Sequence, residues 1–225
     1  MHEQDTPSLV IAILGGTGHE GSGLAYRWAH SGHKVIIGSR TLEKAHKAAA
    51  EINALLGRDV VSGMLNADAA ASAEIVVLTV PYAAHRATLE SVREQVQGKI
   101  LVDVTVPLQP PNITVVTLPP GRTAAEEAQA LLGPNVRVVS AFQNVSAIHL
   151  KDSSHAVDCD VLVCGDDAAA RETVIALAQA AGMRGIDAGP LANAIVAESL
   201  TPVLLGINKR YKVKGAGIRI TGIGA

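Results

Sequence analysis

The segment from Ser8 to Gly21 constrains this chain more than any other. A short β-rich run, Ser8 to Leu14, leads into Gly15-Gly16-Thr17-Gly18-His19-Glu20-Gly21, and an amphipathic helical pattern comes directly after it. Gly16, Gly18 and Gly21 keep G-x-G-x-x-G spacing in the strand-turn-helix setting that a dinucleotide-binding βαβ unit requires. The first glycine permits the tight turn, the second lets the backbone approach a pyrophosphate, and the third lets the helix lie close to the strand. The helix N-terminus then faces the anion with free N–H groups. A glycine-rich turn without a ligand is the plain alternative in a chain with 21 glycines. The strand before the turn and the helix after it argue for the ligand.

The residues at the end of the second strand separate the two nicotinamide cofactors. An acidic residue there accepts hydrogen bonds from a ribose 2′-hydroxyl and repels a 2′-phosphate. Here Val35-Ile36-Ile37-Gly38 ends in Ser39-Arg40. Arg40 offers a planar cationic fork, Ser39 a hydroxyl, and Lys44 a second positive charge one turn further on, so NADP is expected over NAD. The competing account of Arg40 and Lys44 is a solvated helix start on which Glu43 pairs with either cation.

The rest of the chain alternates β-rich runs with helical patterns, which implies parallel strands joined by crossover helices. Strands are expected at 8–14, 34–38, 60–64, 74–80, 99–105 and 136–141, and helices at 19–31, 42–56, 67–71, 84–96 and 123–132. Beyond Phe142 the pattern predicts a strand at 157–164, a helix at 167–181, a short strand at 184–187 and a long apolar helix from 190 to 211, kinked at Pro202. The expected architecture is α/β: a Rossmann-type doubly wound parallel sheet over 1–148, then a small C-terminal α/β unit over 149–225 ending in the long helix.

Several function classes are disfavoured. The formal net charge is -2 with Lys and Arg scattered and the aromatic content is 2%, so neither a phosphate-neutralising stripe nor a base-stacking platform is present. Apolar runs such as Leu9 to Leu14 and Ile75 to Val80 fall short of the ~20 residues that cross a bilayer. The opening Met1-His2-Glu3-Gln4-Asp5 lacks the basic and apolar regions of a signal peptide. Cys159 and Cys164, five apart in an expected strand, point to opposite faces, so unbridged thiols in a reducing cytoplasm are expected. Tyr26, Tyr82 and Tyr211 have no lysine four residues on, and no Gly-x-Ser-x-Gly, Walker A, His-Glu-x-x-His or Cys-x-x-Cys motif occurs. No metal site is expected. His19 stands in the phosphate turn either as a pyrophosphate donor or as an exposed loop residue, and His85 and His149 are given no catalytic role. An absent acid or base suits hydride transfer between two cofactors, which demands ring proximity more than a proton relay.

The chain resembles the NADPH-dependent reductases of the deazaflavin coenzyme F420 over nearly its whole length. The landmarks are Leu14-Gly15-Gly16-Thr17-Gly18, Gly38-Ser39-Arg40 with Lys44, Leu78-Thr79-Val80-Pro81, Val163-Cys164-Gly165-Asp166-Asp167, Asp187-Ala188-Gly189-Pro190-Leu191 and Glu198-Ser199-Leu200-Thr201-Pro202. The resemblance implies hydride transfer between NADP(H) and F420. It implies that Thr17, Gly18, His19, Glu20, Ser39, Arg40 and Lys44 line the phosphates, and that Val80, Val106 and Ala147 lie near the ribose and nicotinamide. It also implies that the C-terminal unit closes over the nicotinamide, with Ser199, Thr201, Pro202 and the backbone at Ala216 facing the deazaflavin; ordinary helix packing is the alternative for Leu200 and Pro202. A homodimer is expected from the resemblance and from the apolar helix Leu191 to Ile207, with burial of that helix within the monomer as the alternative.

Two departures fall near the expected redox cleft. Tyr82 stands where relatives often carry Trp, which keeps an aromatic wall and adds a hydroxyl, and Gln143-Asn144-Val145 replaces a segment that often includes His. The tail from Ile218 to Ala225 also reads differently. Two other functions fit the dinucleotide half: an NADPH-dependent reductase of a flavin or small carbonyl compound, and a non-catalytic NADP sensor.

Overall fold

A computed structural model describes residues 8–223. The leader expectation for Met1 to Asp5 and the end of the tail, Gly224 and Ala225, lie outside the described residues. The strands are β1 (Val10–Leu14), β2 (Lys34–Ser39), β3 (Val61–Leu65), β4 (Ile75–Leu78), β5 (Ile100–Asp103), β6 (Arg137–Ser140), β7 (Asp160–Gly165) and β8 (Arg184–Asp187). The helices are α1 (His19–His30), α2 (Leu42–Leu56), α3 (Asn66–Ser72), α4 (Tyr82–Ser91), α5 (Ala124–Leu132), α6 (Ala168–Ala180) and α7 (Ala194–Tyr211).

One eight-stranded sheet runs in the order β3-β2-β1-β4-β5-β6-β7-β8. The first six strands are parallel, β7 lies antiparallel on β6, and β8 is parallel to β7. The chain winds outward from β1 to β3, then returns to set β4 on the other side of β1. That reversal opens a crevice beyond the carboxyl ends of β1 and β4, where open α/β sheets bind ligands. The expected Rossmann-type sheet with a C-terminal α/β segment and long final helix is the observed fold.

Strand alternation divides the core into two layers. Ile11 and Ile13 face one layer with Leu24, Trp28, Ile37 and Phe142. Ala12 and Leu14 face the other with Leu78, Leu89 and Leu101. The C-terminal elements share these layers: Val161, Val163, Val174 and Leu177 pack with Ile11 and Trp28. The Trp28 indole meets Phe142 edge to face at 5.7 Å and donates its N–H to the Leu177 carbonyl at 2.8 Å, so the chain's one Trp joins α1 to α6.

Several boundaries differ from expectation. The helix expected over 84–96 ends at Ser91 and continues as turns to Gly98, whose φ of +75° suits glycine. Cys159 lies just before β7 rather than within it; both cysteines are buried free thiols. The expected helix from 190 begins as a 3-10 turn over Leu191–Asn193. The α-helix then runs from Ala194 to Tyr211 with Pro202 buried inside it, so proline does not end it.

Leu191–Tyr211, at mean hydropathy 1.3, passes the length and composition test for a bilayer span, unlike the shorter runs Leu9 to Leu14 and Ile75 to Val80. In the fold it packs on α5 and β7, and it carries the buried carboxyl group of Glu198.

Candidate functional site

The crevice at the switch point is a cleft of about 530 Å3. Its floor is built by the glycine turn. Gly15 has a φ of +75°, and a Cβ there would stand 2.6 Å from Val80 Cγ1. A Cβ at Gly16 would meet the Ile13 carbonyl at 2.8 Å, and one at Gly21 would meet Thr79 Oγ1 at 2.5 Å. These positions exclude side chains because backbone and strand close on them. Gly18 differs: its nearest atom would be Gly15 O at 3.7 Å, so the space above it is open to the cleft. Gly18 is also the N-cap of α1, with no side-chain cap, and the first-turn N–H groups are left for another acceptor.

Thr17, Gly18, His19 and Glu20 border one side of the cleft, and Ser39, Arg40, Thr41 and Lys44 another. Ser39 is buried, and its Oγ accepts from the Thr41 N–H at 3.3 Å, which shapes the turn into α2. Arg40 and Lys44 are exposed, and neither forms an ion pair among the described residues. Glu43 therefore does not engage them, and both cations remain free for an anion. The far wall is formed by Thr79, Val80, Pro81 and Ala84 with Val104, Thr105 and Val106.

Glu20 is the unusual group in this lining. Its Oε1 is closed off from solvent and has no hydrogen-bond partner. Burial pushes its pKa up to about 8. Asn66, at the start of α3, also lines the cleft and has a buried, unpartnered Oδ1; a Cβ at Gly38 would stand 2.9 Å from that atom. Open space over Gly18 and free cations at Arg40 and Lys44 suit the phosphates of an extended ligand, whereas the two orphaned oxygens could be satisfied only by hydrogen-bond donors.

The remaining expected residues are distributed around this cleft rather than in it. Tyr82, beside Pro81, donates its hydroxyl to Glu127 Oε2 at 2.8 Å. Burial, and after it that bond, pushes its pKa up to about 12. Ala147 sits in a 3-10 turn packed against the core below α1 and is not among the residues bordering the cleft. Ser199 and Pro202 border a narrow groove that shares Val106 with the cleft and also meets Leu118, Arg122 and Glu198. The Thr201 hydroxyl donates to the Gln143 carbonyl at 2.6 Å, and the Ala216 N–H donates to Asn208 Oδ1 at 3.0 Å.

Sequence reasoning missed Asn66, Thr79 and Thr105, all at carboxyl ends of strands, and it missed the contacts supporting the wall. Asp103, at the end of β5, accepts from His85 Nε2 at 2.7 Å and from the Thr105 N–H at 2.9 Å. Burial alone would lower the His85 pKa, but the bond to Asp103 and its charge raise it on balance. Gln143 donates to the Asp103 carbonyl at 2.7 Å and to Ser140 Oγ at 2.8 Å. Glu198 of α7 accepts from the N–H groups of Ala124 and Ala125 at 2.8 and 3.1 Å, at the N-terminus of α5.

Residues 10–107 match the family model described as NADP oxidoreductase, coenzyme F420-dependent. The chain is 46% identical over 220 residues to the F420-dependent NADP reductase of Methanothermobacter thermautotrophicus, covering 95% of each. It is 44% identical over 222 residues to the enzyme of that name from Methanocaldococcus jannaschii, covering 95% of this chain and 98% of the relative. Among solved structures, a crystal structure of a protein from Arthrobacter sp. FB24, proposed to be an F420-dependent NADP reductase, superposes with a TM-score of 0.81 at 32% identity, over 96% of this chain and 100% of that one.

Proposed function

The chain belongs to the coenzyme F420-dependent NADP oxidoreductase family, and from that premise we infer that it is an oxidoreductase moving a hydride between NADP(H) and the deazaflavin F420. The observation that carries the NADP half is the cleft that combines the open face over Gly18 with the unpaired Arg40 and Lys44.

The protein's part is binding and alignment. The first turn of α1 receives the pyrophosphate, and Arg40, Lys44 and Ser39 hold the 2′-phosphate, the planar fork of Arg40 suiting phosphate oxygens. Val80 and Val106 form an apolar wall beside the nicotinamide. When bound, the nicotinamide and the deazaflavin would supply the redox chemistry, the exchange of a hydride between the two rings balanced by one proton exchanged with water. Ser199, Thr201, Pro202 and Ala216 are read as the deazaflavin side, with Tyr82 an aromatic wall near Pro81 and Ala147 behind the nicotinamide. In this reading residues 149–225 are the unit that closes over the nicotinamide held by residues 1–148.

The protein is read as a cytoplasmic homodimer. Val196, Leu200, Val203 and Ile207 recur along one side of α7, and Val196 and Val203 are 55% and 45% exposed, which is costly unless covered. The activity is tested by anaerobic incubation of the protein and NADPH with F420, FMN and FAD in parallel, monitoring nicotinamide absorbance. Turnover with the deazaflavin is expected; turnover with a flavin alone overturns the assignment.

A further inference from the structure

Glu20 is an acid placed where an anion is expected to bind. It is the second residue of α1 and borders the cleft, yet its Oε1 is enclosed by protein and meets no donor or acceptor. A carboxylate at a helix start is ordinarily stabilised by free N–H groups. Here no such bond forms, and burial lifts the pKa to about 8.

The charged and titratable groups around it are accounted for. His19 shares its turn, and Arg40 and Lys44 line the cleft from the β2–α2 side. Behind the opposite wall, Asp103 is bonded to His85, and Tyr82 to Glu127. His149 lies on the 3-10 turn that packs against α1. Arg27, further along α1, is turned to the carbonyls of Leu150, His149, Asp152 and His155. None of these groups forms a hydrogen bond or ion pair with Glu20 among the described residues.

We propose that NADP(H) binds preferentially to the form of the protein in which Glu20 carries its proton, so that cofactor binding and proton uptake at Glu20 are coupled. The inference rests on the reading of the cleft as an NADP site. The pyrophosphate takes the free N–H groups of the first turn of α1, and an ionised Glu20 beside it would set two anions in one partly desolvated crevice, which favours protonation. As the neutral acid, Glu20 brings no opposing charge and offers one O–H donor. One proton passes from solvent to the carboxylate as the cofactor enters and returns when it leaves, with no electron transfer.

The test is isothermal titration of the whole protein with NADP+ at about pH 8.5 in buffers of different ionisation enthalpy, beside the dissociation constant at about pH 7 and about pH 9. The wild type is expected to take up a large fraction of one proton and to lose affinity by roughly tenfold between those limits. Glu20→Gln keeps the shape without the proton; its uptake should be near zero and its affinity nearly flat. Glu198 titrates in the same range, so Glu198→Gln serves as the control and should retain the wild-type uptake. No uptake by the wild type, or equal uptake by Glu20→Gln, would overturn the proposal whatever the variant's stability. Failure to bind NADP+ at pH 7 would overturn the cofactor reading itself.

Discussion

The His85 imidazole and the Asp103 carboxylate meet at 2.7 Å with side-chain exposures of 3% and 0%. Asp103 belongs to the strand that leads into the cleft wall, and its other oxygen holds the Thr105 N–H, so the pair connects α4 to the backbone just before Val106. Removing one partner of a buried pair leaves the other uncompensated, which costs ~3–5 kcal/mol. Asp103→Asn should therefore lower stability by several kcal/mol in urea titrations and raise the KM for NADPH through the displaced wall. Because the folded His85 pKa is raised, the pair's contribution is complete below the unfolded histidine value and is lost as pH rises through the folded one. The wild-type advantage should shrink on that alkaline side. An advantage that grows there would contradict the pairing.

Arg40 has no ion-pair partner to lose among the described residues, so its substitution isolates the cofactor. Arg40→Glu should raise the KM for NADPH at least ~10-fold, in line with losing a charge-assisted phosphate clamp, while changing that for NADH little. Equal effects on both cofactors would remove the 2′-phosphate from the assignment.

Gly21 tests the fit between α1 and the sheet. A methyl group there would stand 2.5 Å from Thr79 Oγ1 and 2.8 Å from Gly16 Cα. Overpacking of this kind costs ~1–3 kcal/mol. Gly21→Ala should lower the melting temperature and weaken NADP+ binding together, because the helix that carries the anion-facing N–H groups must move. Unchanged binding in a folded Gly21→Ala protein would show that the turn does not depend on this packing.

Glu198 predicts an unusual pH dependence. Burial pushes its pKa up to about 8, against the opposing effect of the two N–H groups it accepts from α5. A carboxyl group raised in this way contributes its stability in full below its unfolded value of 4.5 and loses it as pH climbs through about 8. Denaturant titrations at about pH 5 and about pH 8 should show the wild type losing more stability than Glu198→Gln. Parallel losses in the two proteins would mean that Glu198 is already ionised in the fold.

The apolar side of α7 predicts association. Val196→Glu with Val203→Glu puts charge on two exposed positions, so the double variant should sediment as a monomer where the wild type sediments as a dimer. A wild-type monomer at micromolar concentration would leave the side uncovered and remove the homodimer reading.

Gly16, Gly18, Gly21, Ser39 and Arg40 were legible from the chain because their chemistry is local. A turn with no room for a Cβ and a helix start with free N–H groups are written in consecutive residues. Strand positions were legible for the same reason, although β1, β4, β5, β6 and β7 are each shorter than expected at one end or both, because hydrophobic patterning continues past the last ladder hydrogen bond. The passage of α7 through Pro202 was expected from the apolar run on both sides of it, whereas the packing that tolerates the proline was not legible. A proline disfavours a helix locally, and packing of its buried face on neighbouring elements outweighs that cost.

The order of residues by itself determined the sheet's parallel core, the glycine turn and the cations Arg40 and Lys44 that border the cleft. Tertiary structure decided what surrounds them. It brought Asp103 to His85, Thr201 to the Gln143 carbonyl, and Glu198 to the start of α5, 74 residues away in sequence. It also closed off Glu20 Oε1 and Asn66 Oδ1 without hydrogen-bond partners among the described residues. Burial and pairing across such distances depend on which surfaces the fold closes together, and no local pattern in the chain carries that information.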